Sequence, residues 1–125
     1  MTQTYTDTGT VATKDYAKKY IEMGLRVVPI YSIKTPEMSC TCHKAENCTT
    51  PGKHPIVANW QDWAKENSTV ELIEKNWIWE KSNIGIVTGK ISGVFVIDLD
   101  PKHDGIENFK EWEKKNVEIA TPWRV

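Results

Sequence analysis

Two aspartates one residue apart, Asp98 and Asp100, close the apolar run Val94–Leu99 in the stretch NIGIVTGKISGVFVIDLD, residues 83–100. If the run is a strand, alternation puts both carboxylates on one face and Leu99 on the other. Their Cβ atoms then lie roughly 6 to 7 Å apart, from a rise of about 3.3 Å per residue. Two carboxylates at that spacing can reach one or two hard cations together. Mg²⁺ and Mn²⁺ prefer oxygen ligands and commonly take one or two carboxylates plus substrate phosphates. The plainer reading is that Asp100-Pro101 only ends the strand, since Asp-Pro is a turn signal.

A second constellation lies upstream in CTCHKAENCTTPGKHP. Cys40, Cys42, Cys48 and His54 follow the pattern C-x-C-x5-C-x5-H, with His43 as an alternative fourth ligand. Three thiolates and one imidazole close a tetrahedron around structural Zn²⁺ and leave no open position. The spacing departs from paired C-x-x-C arrangements, so its specificity is intermediate. The segment is nearly devoid of hydrophobic residues, and a loop without a core can be ordered by a metal. The competing reading is a surface loop with reduced thiols. Lys44 and Lys53 on this loop are read as solvated cations.

The elements that must position these groups are legible in order. A helix is expected from about Lys14 to Met23, with Tyr16, Ala17, Tyr20 and Ile21 on one face and Gly24 as its stop. A strand, Leu25–Tyr31, follows, and Pro29 places it near a sheet edge or shortens it. The candidate zinc loop covers 34–56. Ser68 and Glu71 form an S-x-x-E box, so a helix is expected right after Ser68, with Leu72, Ile73, Asn76 and Trp77 on one stripe. Trp60, Trp63, Trp77 and Trp79 are read as core packing rather than as a stacking platform for bases. The central hairpin pairs a first strand containing Ile84, Ile86 and Val87 with a second over Val94–Leu99, its turn bracketed by Gly89 and Gly93. Thr88–Gly93 lacks the G-x-x-x-x-G-K-[ST] spacing, which rejects a P-loop ATPase. Asp104 is expected to cap a helix whose buried face is Ile106, Phe109 and Trp112. Val117–Val125 looks like the start of another strand.

Composition sets outer limits. The 125 residues suit one domain or part of one. A formal net charge of −1 gives no strong whole-chain attraction to nucleic acid, so such binding needs local patches. No apolar run reaches the roughly 20 residues of a membrane span. The start, MTQTYTDTGT, is not a secretory signal, and residues 1–12 are expected to be a flexible terminus. Three cysteines is an odd number, which argues against a disulfide framework and for a reducing, cytoplasmic setting.

Taken together, several segments resemble the N-terminal primase–polymerase domain of bifunctional replication proteins, within the archaeo-eukaryotic primase superfamily. They are Ala17-x-x-Tyr20 with Gly24 and Val28-Pro29, then Cys40-x-Cys42 with Cys48 and Gly52-Lys53-His54-Pro55. Trp60, Asn83-Ile84-Gly85-Ile86, Thr88-Gly89, Ser92-Gly93, Val96-Ile97-Asp98-Leu99-Asp100, Gly105 and Thr121-Pro122 complete the set. The order and combination carry the resemblance, which runs from about Tyr16 onward, so 13–125 is read as the N-terminal part of such a domain.

The resemblance implies an α+β fold with an RRM-like mixed or antiparallel sheet. The carboxylates and Val94 and Val96 would lie on its open face, with Phe95, Ile97 and Leu99 under helices on the other. It implies Asp98 and Asp100 as catalytic ligands of Mg²⁺ or Mn²⁺ in nucleotidyl transfer onto DNA primers. DNA template and primer and nucleoside triphosphates are the implied partners, with a helicase domain or protein as a further one, in plasmid, phage or mobile-element replication. The family's nucleotide-binding His and its further acidic ligand fall beyond the Thr-Pro strand, so this chain alone is expected not to extend a primer. His43, His54 and His103 do not sit in that motif. The alternative is a catalytically inactive, zinc-stabilised nucleic-acid-binding module. A small α+β protein with structural aspartates is the third reading.

Overall fold

The computed structural model describes residues 12–120. The chain divides into two compact units, one ending at Phe95 and the other beginning at Val96. The fold is α+β, with four α-helices and small antiparallel sheets among the described residues.

In the first unit, α1 (Thr13–Glu22) precedes β1 (Arg26–Ile30) across Gly24, within a residue of the expected bounds at each end. Ala12 offers no capping side chain. Thr13 instead donates its hydroxyl to the carbonyls of Glu80 at 3.0 Å and Ser82 at 3.1 Å, tying the helix start to the entry of β4. β4 (Asn83–Val87) pairs antiparallel with β1, with Ile30 opposite Asn83 and Arg26 opposite Val87. Pro29 sits within this ladder opposite Ile84. Its carbonyl accepts from the Ile56 N–H, on the side of β1 away from β4, so the N–H that proline lacks is not one the β1–β4 ladder needs.

The core is Ala17 and Ile21 of α1, Val27 of β1, and Ile73 and Trp77 at the end of α3 (Val70–Asn76). α2 (Trp60–Glu66) adds Trp63 against this cluster. Trp63, Trp77 and Trp79 meet edge to face, with centroids 5.8 to 6.1 Å apart. Trp77 is buried and its indole N–H donates to the Trp79 carbonyl at 2.9 Å. These three tryptophans are therefore core, as their spacing implied. The α3 cap is Thr69, one residue after the expected Ser68, and its hydroxyl accepts from the Leu72 N–H at 3.2 Å.

The expected second hairpin strand is the main correction. The turn forms: Gly89 and Gly93 take φ of +91° and +67°, the Gly89 N–H bonds the Val94 carbonyl, and Ser92 accepts from the Arg26 N–H at 2.9 Å. The pairing then stops at the single bridge Gly89–Val94. Residues 95–100 belong to no strand. Phe95 is 76% exposed and Ile97 is 43% exposed, so neither lies under a helix.

In the second unit, a 3₁₀ turn (Pro101–His103) leads into α4 (Gly105–Lys115). Asp104 occupies the expected N-cap position, but at φ +55° its side chain makes no capping bond. Ile106 and Trp112 are exposed, contrary to the expected buried face, and Trp112 stacks on Phe109 at 5.9 Å. Val117–Ala120 form no strand, and the rest of the expected final strand, 121–125, lies outside the described residues, as does nearly all of the expected flexible terminus 1–12.

Candidate metal centre and acidic segment

The cysteine loop is built as an excursion from the end of β1. A short hairpin, β2 (Ile33–Lys34) with β3 (Ser39–Cys40), sets Cys40 opposite Ile33. The Thr41 N–H bonds the Ser32 carbonyl at 2.9 Å, and a 3₁₀ turn (Ala45–Asn47) carries the chain to Cys48. The return leg is anchored to the sheet. The Tyr31 N–H donates to the His54 carbonyl at 3.0 Å, and the Ile56 N–H donates to the Pro29 carbonyl at 3.0 Å. His54 is thus fixed beside the exit of β1.

These anchors bring Cys40, Cys42, Cys48 and His54 together, with all four ligand atoms within 4.8 Å of one another. His54 Nε2 lies 3.4 Å from Cys48 Sγ and 3.7 Å from Cys40 Sγ. A tetrahedral zinc with bonds of about 2.3 Å to sulfur and 2.0 to 2.1 Å to nitrogen separates S and N ligands by about 3.6 Å. The donor set and its spacing therefore fit a metal ion. His43, the alternative ligand, is exposed and outside the cluster.

The thiols feel one another. Burial pushes Cys40 up, but N–H groups of Gly52 and Cys42, then the Cys42 thiol and His54, outweigh it and hold Cys40 at about 6. Cys42 is pushed up, first by burial and then by the sulfurs of Cys40 and Cys48, against the Lys44 N–H that lowers it. One thiolate is favoured and a second is resisted, and a divalent cation removes that conflict.

The acidic segment is different. Asp98 and Asp100 are both exposed, and no ladder fixes their alternation. The Asp100 carboxylate accepts the Lys102 N–H at 2.9 Å and so caps the 3₁₀ turn, the turn-forming role its Asp-Pro sequence offered. Its other oxygen lies 3.7 Å from His103 Nε2. Among the described residues no third potential ligand joins the two aspartates. Gly105 closes on this turn: its N–H donates to the Asp100 carbonyl at 2.9 Å, and a Cβ there would lie 2.8 Å from the Asp100 N and O.

An open cleft of about 600 Å³ is lined by Tyr16, Tyr20, Gly52, Asn83, Ile84 and Ile86, among others. Among the described residues, no charged side chain lines it. Sequence reasoning passed over Tyr31, whose ring tilts against His54 at 4.7 Å, and over the supporting bonds of Gly52 and Asn83. Gly52 was visible only as part of Gly52-Lys53-His54-Pro55, and nothing in the sequence marked Tyr31.

An α+β chain with a cluster of three cysteines and one histidine ahead of an Asp-x-Asp segment is the context for the comparison with known families. The family described as bifunctional DNA primase/polymerase, N-terminal, matches residues 17–125, and the chain belongs to that family. Neither the curated proteins nor the solved structures give a match. No helix among the described residues is long and apolar enough to cross a membrane.

Proposed function

We propose that this chain contributes to nucleotidyl transfer onto DNA primers, with Asp98 and Asp100 as the ligands of Mg²⁺ or Mn²⁺. The observation that carries the reading is the family match, which runs through both aspartates. Its substrates would be template, primer and nucleoside triphosphates. Its setting would be the cytoplasm, in plasmid, phage or mobile-element replication, where a helicase domain or protein would supply unwound template. When bound, the divalent ions would make the attacking 3′ hydroxyl easier to deprotonate and offset the negative charge of the nucleotide phosphates. The chain's own part is to present two carboxylates to those ions. The Asp100 turn holds one of them by spending a single oxygen on the Lys102 N–H, leaving the other oxygen at the side facing His103. We assign Zn²⁺ to Cys40, Cys42, Cys48 and His54 in a structural role, because the set has no open position.

A second reading, a zinc-stabilised nucleic-acid-binding module without catalysis, is favoured by one contrast. The four soft ligands converge, whereas the two aspartates have no third partner among the described residues. Mn²⁺ binding, followed by electron paramagnetic resonance, separates the two. In the catalytic reading Asp98→Ala and Asp100→Ala each weaken Mn²⁺ binding and leave zinc content unchanged. Equal Mn²⁺ binding by the parent and both variants would reject the carboxylate assignment and favour the module.

A further inference from the structure

The cluster of three cysteines and one histidine does not hold itself in place. Asn83, the first residue of β4, lies opposite Ile30 at the point where the loop leaves the sheet. Its carboxamide N–H₂ group donates to two carbonyls on opposite legs of the loop, Tyr31 at 3.3 Å and Gly52 at 3.4 Å. Each of those residues then reaches a ligand. The Gly52 N–H donates to Cys40 Sγ at 3.4 Å. The Tyr31 N–H holds the His54 carbonyl, and the Tyr31 ring lies against the imidazole. Asn83 is outside the loop in sequence and beneath it in space.

Gly52 has no freedom to be replaced in this arrangement. Its φ is +69°, and a Cβ would lie 2.9 Å from Ile33 Cγ1 of β2. An added side chain there would have to displace Ile33, which is paired with Cys40 in the β2–β3 hairpin. The two weak bonds of Asn83 therefore act on backbone whose conformation is already narrow.

We infer that Asn83 is a positioning residue for the metal centre: it clamps the Tyr31 and Gly52 backbone and so presets Cys40 and His54 for the ion. The inference rests on the metal reading of the cluster. Groups that orient ligands from the next layer typically change metal affinity by about 10- to 100-fold when removed. A loop ordered by its metal also pays the ordering cost at binding, and a clamp that orders it beforehand reduces that cost.

The test is competition between the reduced protein and a chromophoric chelator for Zn²⁺, with Co²⁺ absorption as a second readout. Asn83→Ala should weaken Zn²⁺ binding by about tenfold or more. The Co²⁺ spectrum should keep its tetrahedral form, because all four ligands remain. The thermal midpoint of the metal-free chain, read by tryptophan fluorescence, should stay unchanged. Asn83→Gln, which keeps the carboxamide, should recover part of the affinity. Binding by Asn83→Ala within about twofold of the parent would overturn the inference, since that lies outside the range for orienting groups. So would a loss matched by a lower metal-free midpoint and not relieved in Asn83→Gln. If the parent chain itself binds neither ion, the metal reading falls, and this inference with it.

Discussion

The cysteine loop and the acidic segment carry the two candidate metal sites, and they are built in opposite ways. The loop gathers its ligands within fifteen positions, 40 to 54, and closes them with short-range hydrogen bonds and a two-residue-per-strand hairpin. The acidic segment has its ligands one residue apart, but their orientation depends on strand pairing that stops at Val94. Proximity along the chain gathers the loop's ligands, and the sheet contacts at Pro29, Tyr31 and Asn83 then fix them. For the aspartates it supplies spacing without direction. Soft ligands around a small tetrahedral ion can come from one loop, whereas a catalytic carboxylate site needs groups from several elements.

The largest effect is expected from breaking the loop. Cys48→Ser should abolish stoichiometric zinc and lower amide protection within residues 33–56, while protection in β1 and β4 persists. Hydrogen exchange followed by mass spectrometry reads both regions at once. Equal loss in loop and sheet would mean that the metal supports the whole first unit, and the contrast between local and long-range construction would shrink.

Next comes the core that carries the loop's anchors. Ile73 and Trp77 are fully buried beside Val27. Ile73→Ala should cost about 2 to 5 kcal/mol of stability in chemical denaturation, the range for truncating a buried aliphatic side chain. Zinc stoichiometry at low denaturant should survive.

In the acidic segment, Gly105→Ala should cost about 1 to 3 kcal/mol through overpacking, because the added Cβ meets the Asp100 backbone. Amide chemical shifts of Asp100 to Asp104 should move, and those of the cysteine loop should not.

The smallest effect is electrostatic. Lys18 lies 2.8 Å from Glu74, joining α1 to α3, and the side-chain bond to Lys18 followed by the charges of Lys14 and Lys18 lowers the Glu74 carboxyl. A lowered carboxylate contributes stability above its unfolded value and loses it as pH falls through the folded one. Lys18 is raised, chiefly by its bonds to Glu74 and Asp15, so its contribution is present below its ordinary value of 10.5 and fades as pH rises through the folded one. Both groups are solvent-facing, so the effect is small and screened by salt. Thermal midpoints of the parent and Glu74→Gln should converge as pH drops from about 6 toward 3, a window set by ordinary carboxyl titration near 4.3.

What could be read in the sequence follows the same division. α1, β1 and β4 were legible from periodicity and from Gly24, because each is specified by residues within itself. The tryptophans were legible as core because Trp63 and Trp77 fall on helical faces that must be covered. The α3 cap shifted from Ser68 to Thr69, a one-residue error that hydroxyls in tandem invite. The cysteine loop was legible as a ligand set, while the choice of His54 over His43 needed the sheet anchors at Pro29 and Tyr31. Val94–Leu99 has strong strand character, yet a ladder needs a neighbour, and pattern alone does not reveal one. For the same reason the apolar face of α4 was visible and its exposure was not.

Elemental analysis of the purified, reduced protein tests the central claim, that the cysteine loop is a metal-built element. The account predicts one zinc per chain, retained through gel filtration and lost in Cys48→Ser. A parent chain that carries no stoichiometric zinc with its thiols intact would contradict it.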